Sequence, residues 1–291
     1  MTLMKWQRGH RSPDVIDQRG RSLGGGMGAG MLGPMLSLGS KFGVGGIVVA
    51  VGLYFGGQYL MGGGGSAGLT GERPAPGTSR ASDEAAEFVG FVLDDVQNTW
   101  RPKFQQLGKT YEPAKLVLFT DRTATGCGSG EAAMGPFYCP RDQRVFIDLG
   151  FFDELSRRFG APGDFAQAYV IAHEIGHHVQ HTLGLDAMKR AAGASSQGPT
   201  GASVRLELQA DCFAGIWAHS TSQRQLLDTG DIEEGLAAAS AVGDDRLQHQ
   251  STGTVNPETW SHGSAEQRSR WFRRGFTTGD FAACDTRQAE L

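Results

Sequence analysis

Residues 172–178, AHEIGHH, contain the spacing H-E-x-x-H. On an α-helix, residues four positions apart lie one above the other, so the imidazoles of His173 and His177 can reach one ion. Histidines at this spacing are typical zinc ligands. Glu174 lies at the edge of the same helical face, where its carboxylate can accept a proton from a water at the metal. The motif therefore predicts a hydrolytic site with one zinc ion and Glu174 as general base.

The chain around this motif has the periodicity of an amphipathic helix. Apolar or small side chains recur every three or four positions between Phe165 and Leu183. Gly184 follows them, and glycine is the residue best suited to the left-handed conformation that ends many helices. The sequence thus predicts the helix that the two histidines need.

A hydrolytic zinc site needs a third protein ligand and keeps a fourth position open for water. His181 is excluded by distance, because eight residues along a helix span about 12 Å. His178 faces away from His173. The extended pattern H-E-x-x-H-x-x-G-x-x-H is also absent, so the third ligand must come from elsewhere.

A second stretch, residues 204–215 (VRLELQADCFAG), places two acids on one helical face. Glu207 and Asp211 are four positions apart, and small residues nearby allow this helix to pack closely against the first. We predict that Glu207 is the third zinc ligand and that Asp211 accepts a hydrogen bond from the free ring N–H of a ligand histidine. The alternative is that both are solvated surface acids.

With these residues identified, the chain resembles the bacterial neutral zinc metallopeptidase family, over nearly its whole length. Four runs carry the resemblance: GPFYCP at 135–140, AYVIAHEIGHHVQ at 168–180, ELQADCFAG at 207–215 and SHG at 261–263. By wider similarity to the glutamate-type zincins, the resemblance implies His173, His177 and Glu207 as ligands and Glu174 as the catalytic acid residue. It implies no particular substrate.

Composition and charge divide the chain into four predicted regions. It has 291 residues and a formal net charge of −4, which does not indicate a nucleic-acid partner. Residues 42–61 carry no charge and are long enough to cross a hydrocarbon core of about 30 Å as a helix. We predict a basic, glycine-rich disordered tail (1–41), a transmembrane helix (42–61), a flexible linker (62–82) and a zinc metallopeptidase domain (83–291).

The charges that flank the apolar segment predict its orientation. Lysine and arginine accumulate before residue 42, and basic residues mark the cytoplasmic side of a membrane. We therefore expect a single-pass protein of the cytoplasmic membrane with a cytoplasmic N-terminus and a periplasmic or extracellular catalytic domain. A cleaved signal peptide is the alternative, but 41 residues before the apolar run is unusually long.

All four cysteines lie in the predicted outer domain, where the compartment is oxidising. We predict the disulfides Cys127–Cys139 and Cys212–Cys284 among the three possible pairings. Zinc ligation by cysteine is the alternative, but the chain has no C-x-x-C pair.

The predicted fold class is α+β, a zincin-like domain with an active-site helix, a second helix bearing the glutamate and a small β-sheet. By resemblance to zincins, the strand predicted at 144–149 is the candidate for pairing with an extended substrate. His262, in a loop before a predicted helix, is a candidate for stabilising the oxyanion of the reaction, although a lone loop histidine is more often a capping or surface residue. Tyr169, one turn before the first histidine, is expected to be a core residue.

The sequence therefore favours a membrane-anchored zinc peptidase that acts on peptide or protein substrates. Two alternatives remain open: a non-catalytic envelope scaffold that holds zinc for structure, and a zinc hydrolase that cleaves a cell-wall amide. Glu174 argues against the scaffold, because a purely structural site has four protein ligands and needs no base.

Overall fold

The computed structural model describes residues 4–20 and 80–291. Within these ranges it has eight α-helices and six β-strands, a mixed helix and sheet fold as expected. The helices are α1 (Arg80–Gln106), α2 (Gly150–Arg157), α3 (Asp164–Leu183), α4 (Ala187–Ala192), α5 (Ala202–Gln223), α6 (Asp231–Ala241), α7 (Asp244–Thr252) and α8 (Ala265–Thr278). The strands are β1 (Val15–Asp17), β2 (Lys115–Phe119), β3 (Arg122–Thr125), β4 (Gly128–Glu131), β5 (Phe137–Cys139) and β6 (Arg144–Asp148).

Four strands form one sheet in the order β1-β2-β6-β5, and β3 pairs with β4 in a separate hairpin. Strands β1, β2 and β6 are parallel, while β5 is antiparallel to β6. Both faces of β2 are buried: Leu116 and Leu118 join the main core, and Val117 and Phe119 pack in a smaller cluster on the other face. A strand buried on both sides has the continuous apolar sequence seen here, KLVLF.

The prediction that the strand at 144–149 pairs with substrate does not hold for its first three residues. Strand β6 lies between β2 and β5: residues 144–146 are paired on both edges, whereas Ile147 and Asp148 are paired with β2 but not with β5. A strand can accept an added peptide only through an unpaired edge. The edge strand beside α3 is β5, and the hydroxyl of Tyr138 in β5 lies 3.1 Å from Nδ1 of His178 in α3.

The N-terminal residues 4–20 are not the disordered tail that their composition predicts. Met4 is buried, and Val15 pairs with Leu116 at the start of the parallel β1–β2 ladder. Arg19 donates a hydrogen bond to the carbonyl of Ser82 at 2.6 Å. This segment is therefore part of the globular domain, and no local feature of the sequence indicates this because the strand that it pairs with is far away along the chain.

The rest of the predicted tail, the predicted transmembrane helix at 42–61 and the linker up to residue 79 lie outside the described residues. In the two ranges that are described, no helix is both long enough and apolar enough to cross a membrane.

Helices α3 and α5 pack closely enough to bring their polar faces together. A Cβ at Gly176 would lie 3.1 Å from the backbone of Ala210, so the glycine in H-E-I-G-H permits the approach. Helix α3 also ends as predicted, because Gly184 adopts the left-handed conformation with φ 74°. The close approach places the acids of α5 opposite the histidines of α3.

Helix α8 packs against the other side of α5. A side chain at Gly275 would overlap the carbonyl oxygen of Cys212, so the two backbones meet where glycine removes the Cβ. This contact brings the N-terminal half of α8 close to both α3 and α5, where Arg268 contacts Tyr169 and Asp211.

Both predicted disulfides are present. Cys127–Cys139 links the β3–β4 hairpin to β5, and Cys212–Cys284 ties the C-terminal segment to α5. The alternative that cysteines bind zinc is wrong, because all four are paired. The second bridge closes a stretch of 72 residues that includes α6, α7 and α8, and thereby restricts the unfolded chain.

Candidate metal centre

Three predicted residues converge at the contact of α3 and α5. Nε2 of His173 lies 3.2 Å from one carboxylate oxygen of Glu207, and Nε2 of His177 lies 3.5 Å from the other. The two imidazole rings are nearly perpendicular, with centroids 4.8 Å apart. His173 and Glu207 are buried, while His177 is half-buried. The structure thus brings the predicted ligand set together and leaves one side accessible.

These spacings are compatible with a zinc ion bound between the three residues. Two ligand atoms that each lie about 2.0–2.1 Å from a tetrahedral zinc ion are roughly 3.3–3.4 Å apart. The nitrogen–oxygen separations of 3.2 and 3.5 Å, which involve the two different oxygens of Glu207, each lie near that value, and one donor atom from each residue lies within 4.8 Å of the others. Two imidazoles and one carboxylate form a donor set known from catalytic zinc sites.

Asp211 occupies its predicted position beside His173. Its Oδ1 lies 2.8 Å from Nδ1 of His173, so Nδ1–H donates to the carboxylate and Nε2 faces Glu207. Asp211 is fully buried. Burial alone would raise the pKa of Asp211, but Arg268 and His173 outweigh it and hold the pKa at about 2. The carboxylate therefore stays ionised and orients the ring.

Arg268 is a buried residue of this centre that the sequence did not reveal. It is only 3% exposed, and it donates to both oxygens of Asp211, at 2.8 Å from Nε and 2.9 Å from Nη2. The available signal was its position three and four residues before Trp271 and Phe272, which puts an arginine on the apolar face of α8. Arg268 and Asp211 neutralise each other, so neither charge is buried without a partner.

Tyr169 is buried, as expected for a core residue, but it also has a polar contact. Its hydroxyl donates to Oδ1 of Asp211 and accepts from Nη2 of Arg268 at 3.2 Å. Tyr169 thus belongs to the hydrogen-bonded group that holds His173.

Glu174 lies beside the donor set without belonging to it. It is 8% exposed, and its carboxylate interacts electrostatically with both histidines and with Glu207. Burial raises the pKa of Glu174 above its ordinary value, although His177 and His173 oppose the rise. A carboxylate with a raised pKa is a stronger base, as proton abstraction from water requires.

The structure brings His262 near the same centre. Burial raises the pKa of Glu207, but His177, less strongly His262, and the hydrogen bonds from His173 and His177 outweigh it and hold this pKa well below its ordinary value. Nδ1 of His262 lies 3.2 Å from Oδ1 of Asp244, which is fully buried. The other oxygen of Asp244 accepts from the backbone N–H groups of residues 261, 262 and 263. The loop is therefore fixed, and the ring is oriented through Nδ1.

Lys189, in the short helix α4, is a second residue that the sequence analysis missed. Burial lowers the pKa of its ammonium group, and Glu207 partly compensates through its charge. No motif or spacing in the sequence indicated this proximity, because it depends on how the loop after α3 folds back.

Comparison with known proteins gives one family match and several similar relatives. The profile of one family, described as "Putative neutral zinc metallopeptidase", matches residues 4–287. The protein YpfJ of Escherichia coli strain K12 is 46% identical over 294 residues, covering 97% of this chain and 98% of YpfJ. The protein Rv2575 of Mycobacterium tuberculosis strain H37Rv is 47% identical over 204 residues, covering 66% of this chain and 67% of the relative. No solved structure matches the chain.

Proposed function

Because the chain belongs to the neutral zinc metallopeptidase family, we propose that it is a zinc-dependent peptidase, anchored at the cytoplasmic membrane with its catalytic domain on the outer side. The observation that supports this most directly is the convergence of His173, His177 and Glu207, with one possible ligand atom from each within 4.8 Å of the others and Glu174 buried beside them. A purely structural zinc site would have a fourth protein ligand and would not need the carboxylate.

The side chains around the site have distinct tasks in peptide hydrolysis. When bound, zinc supplies a Lewis acid that polarises the substrate carbonyl and lowers the pKa of water. Glu174 accepts a proton from the attacking water and returns it to the leaving amine. Asp211, held by Arg268 and Tyr169, keeps the Nδ1 proton of His173 in place.

His262 is suited to the oxyanion that develops on the substrate carbonyl. Asp244 lies against Nδ1 and fixes the ring, and a protonated imidazole offers Nε2–H as a second donor. A donor whose position is fixed before the reaction stabilises developing charge without reorganisation.

Metal dependence of cleavage tests the proposed function. We expect the purified full-length protein, in detergent, to cleave components of a denatured-protein digest at neutral pH, with new N-termini identified by mass spectrometry. Chelation should abolish the new termini, and stoichiometric zinc should restore them, because the donor set has no other means to activate water. Cleavage of peptidoglycan fragments but not of peptides would favour the cell-wall amide hydrolase. Cleavage of neither by the zinc-loaded protein would favour the scaffold.

The proposed location also constrains the N-terminal segment. Two disulfides are typical of an oxidising compartment outside the cytoplasm. Residues 4–20 pair with β2 and contact α1, so they must lie on the same side of the membrane as the domain. A cytoplasmic N-terminus with an outer catalytic domain is incompatible with these contacts. We therefore propose that residues 4–20 lie outside the cytoplasm together with the domain, which corrects the expected single-pass topology, because one membrane crossing would separate these two parts of the chain.

Cysteine labelling in intact cells tests this topology. Gln7 and Gln105 are both exposed, the first in the N-terminal segment and the second at the end of α1. We expect a membrane-impermeant maleimide to label Gln7→Cys as completely as Gln105→Cys. Labelling of Gln105→Cys alone would place the N-terminal segment in the cytoplasm and contradict the proposal.

A further inference from the structure

The histidine ligands of the proposed zinc site are held in different ways. His173 is oriented by the carboxylate of Asp211, whereas Nδ1 of His177 lies 2.9 Å from Oε1 of Gln180. Gln180 is one helical turn after His177 and only 1% exposed. A buried amide in this position needs partners for its own N–H groups.

These partners form a chain that leads away from the site. Nε2 of Gln180 lies 2.6 Å from the carbonyl oxygen of Leu206 and 3.2 Å from Oε1 of Gln209. Nε2 of Gln209, which is 3% exposed, lies 3.0 Å from the carbonyl oxygen of Cys284. Cys284 is bonded to Cys212 in α5. The chain thus runs from His177 through two glutamines to the Cys212–Cys284 disulfide.

The ends of this chain determine the direction of every hydrogen bond in it. The backbone oxygens of Leu206 and Cys284 can only accept, so each glutamine must present its NH₂ group to them. The carbonyl oxygen of Gln180 must then face His177, and Nδ1 of His177 must carry the proton. This tautomer leaves the lone pair of Nε2 available for a metal. In the reverse tautomer, the unprotonated Nδ1 of His177 would face Oε1 of Gln180, and both atoms are acceptors.

We propose that Gln180 and Gln209 are positioning residues that hold His177 in its metal-binding tautomer and orientation, and that the Cys212–Cys284 disulfide fixes the far end of this chain. Opening that disulfide releases the acceptor of Gln209 and weakens zinc binding at a distance. The inference rests on the proposed zinc site, but it does not depend on the reaction performed there.

The two disulfides of the chain provide a matched comparison. Cys127–Cys139 joins the hairpin to β5 and belongs to the smaller core cluster, apart from the glutamine chain. Its removal, as Cys127→Ser/Cys139→Ser, therefore controls for the general effect of losing a cross-link. Gln223→Met, an exposed position on α5, controls for the loss of an amide on the same helix.

The test measures zinc affinity of the full-length protein by competition with a chelator, together with the visible absorption of the cobalt-substituted form. Loss of a group that orients a metal ligand typically costs about 10- to 100-fold in affinity. We expect a weakening in this range for Gln180→Met, Gln209→Met and Cys212→Ser/Cys284→Ser, with altered cobalt bands. The two control variants should match the wild type in both measurements.

A double variant tests whether the two glutamines act through one hydrogen-bonded chain or affect zinc affinity independently. If they act in series, Gln180→Met/Gln209→Met should bind zinc about as weakly as Gln180→Met alone, because the chain is already broken. Wild-type affinity in Gln209→Met, or independent losses that multiply in the double variant, would overturn the proposal. Gln209→Met keeps the disulfide, so its zinc affinity tests the role of the glutamine chain even if the cysteine variant fails to fold.

The outcome is distinguishable from failure of the proposed peptidase. Zinc affinity and cobalt spectra are measured whether or not the protein cleaves peptides. A wild-type protein that binds zinc but cleaves nothing leaves this proposal standing, whereas a wild-type protein that binds no zinc overturns it together with the site.

Discussion

Glu174→Gln is expected to bind zinc as tightly as the wild type and to lose peptide cleavage by about 10²- to 10⁴-fold, the usual contribution of a general acid–base group. Glutamine has the same shape as glutamate but cannot accept a proton from water. Zinc binding should survive because the three donor atoms come from His173, His177 and Glu207. The measurements are steady-state cleavage of a peptide identified from the digest and zinc content by mass spectrometry.

Glu154→Gln is a suitable control for this substitution. Glu154 lies in α2, where its carboxylate is paired with Arg158 at 3.3 Å on the exposed surface. We expect it to retain wild-type cleavage, since exposed ion pairs contribute little to stability. Equal cleavage rates for Glu174→Gln and the wild type would eliminate Glu174 as the base and leave the proposed mechanism without its central step.

Asp211→Asn is expected to damage both metal binding and stability. Asparagine is nearly isosteric, but it cannot supply the charge that balances Arg268 or that favours the Nδ1–H tautomer of His173. Loss of such a partner typically costs about 10- to 100-fold in metal affinity. Breaking a buried ion pair typically costs about 3–5 kcal/mol, because one charge remains buried without a partner. Chelator competition and urea unfolding of the metal-free protein measure the two effects separately.

A second substitution separates the two roles of Asp211. In Asp211→Asn/Arg268→Met, the unpaired charge is gone, so the free energy of unfolding should recover much of its loss. Zinc affinity should stay low, because the ring of His173 still lacks its carboxylate. Recovery of zinc affinity in the double variant would mean that Asp211 affects the metal site only through protein stability, and that result would contradict its orienting role.

Two parts of this site could be predicted because they depend on local geometry. The positions of His173, Glu174 and His177 on one face follow from the helical repeat, and that repeat was visible in the apolar residues around them. The end of α3 at Gly184 also follows from a backbone preference of a single residue. Glu207 required the further assumption that a second helix packs against the first, which Gly176 and the small residues of α5 permit.

The sequence was least informative where pairing partners are far apart along the chain. Residues 15–17 form a strand of three residues among charges and a proline, and no local property distinguishes it from a disordered segment. It becomes a strand because the edge of β2, about one hundred residues later, offers parallel hydrogen bonds. The position of β6 inside the sheet could not be predicted for a related reason, since strand order in a sheet is not encoded in any one strand.

The sequence by itself determined the chemistry that this protein has available: two imidazoles and a base on one helix, two acids on another, and four cysteines in a domain able to pair them. Only the tertiary structure decided which groups hold that chemistry in place. Arg268, Asp244, Gln180 and Gln209 act through contacts with residues that, apart from His177, lie between 17 and 99 positions away. A helical repeat specifies which residues share a face, but the neighbour of that face depends on how all the helices pack together.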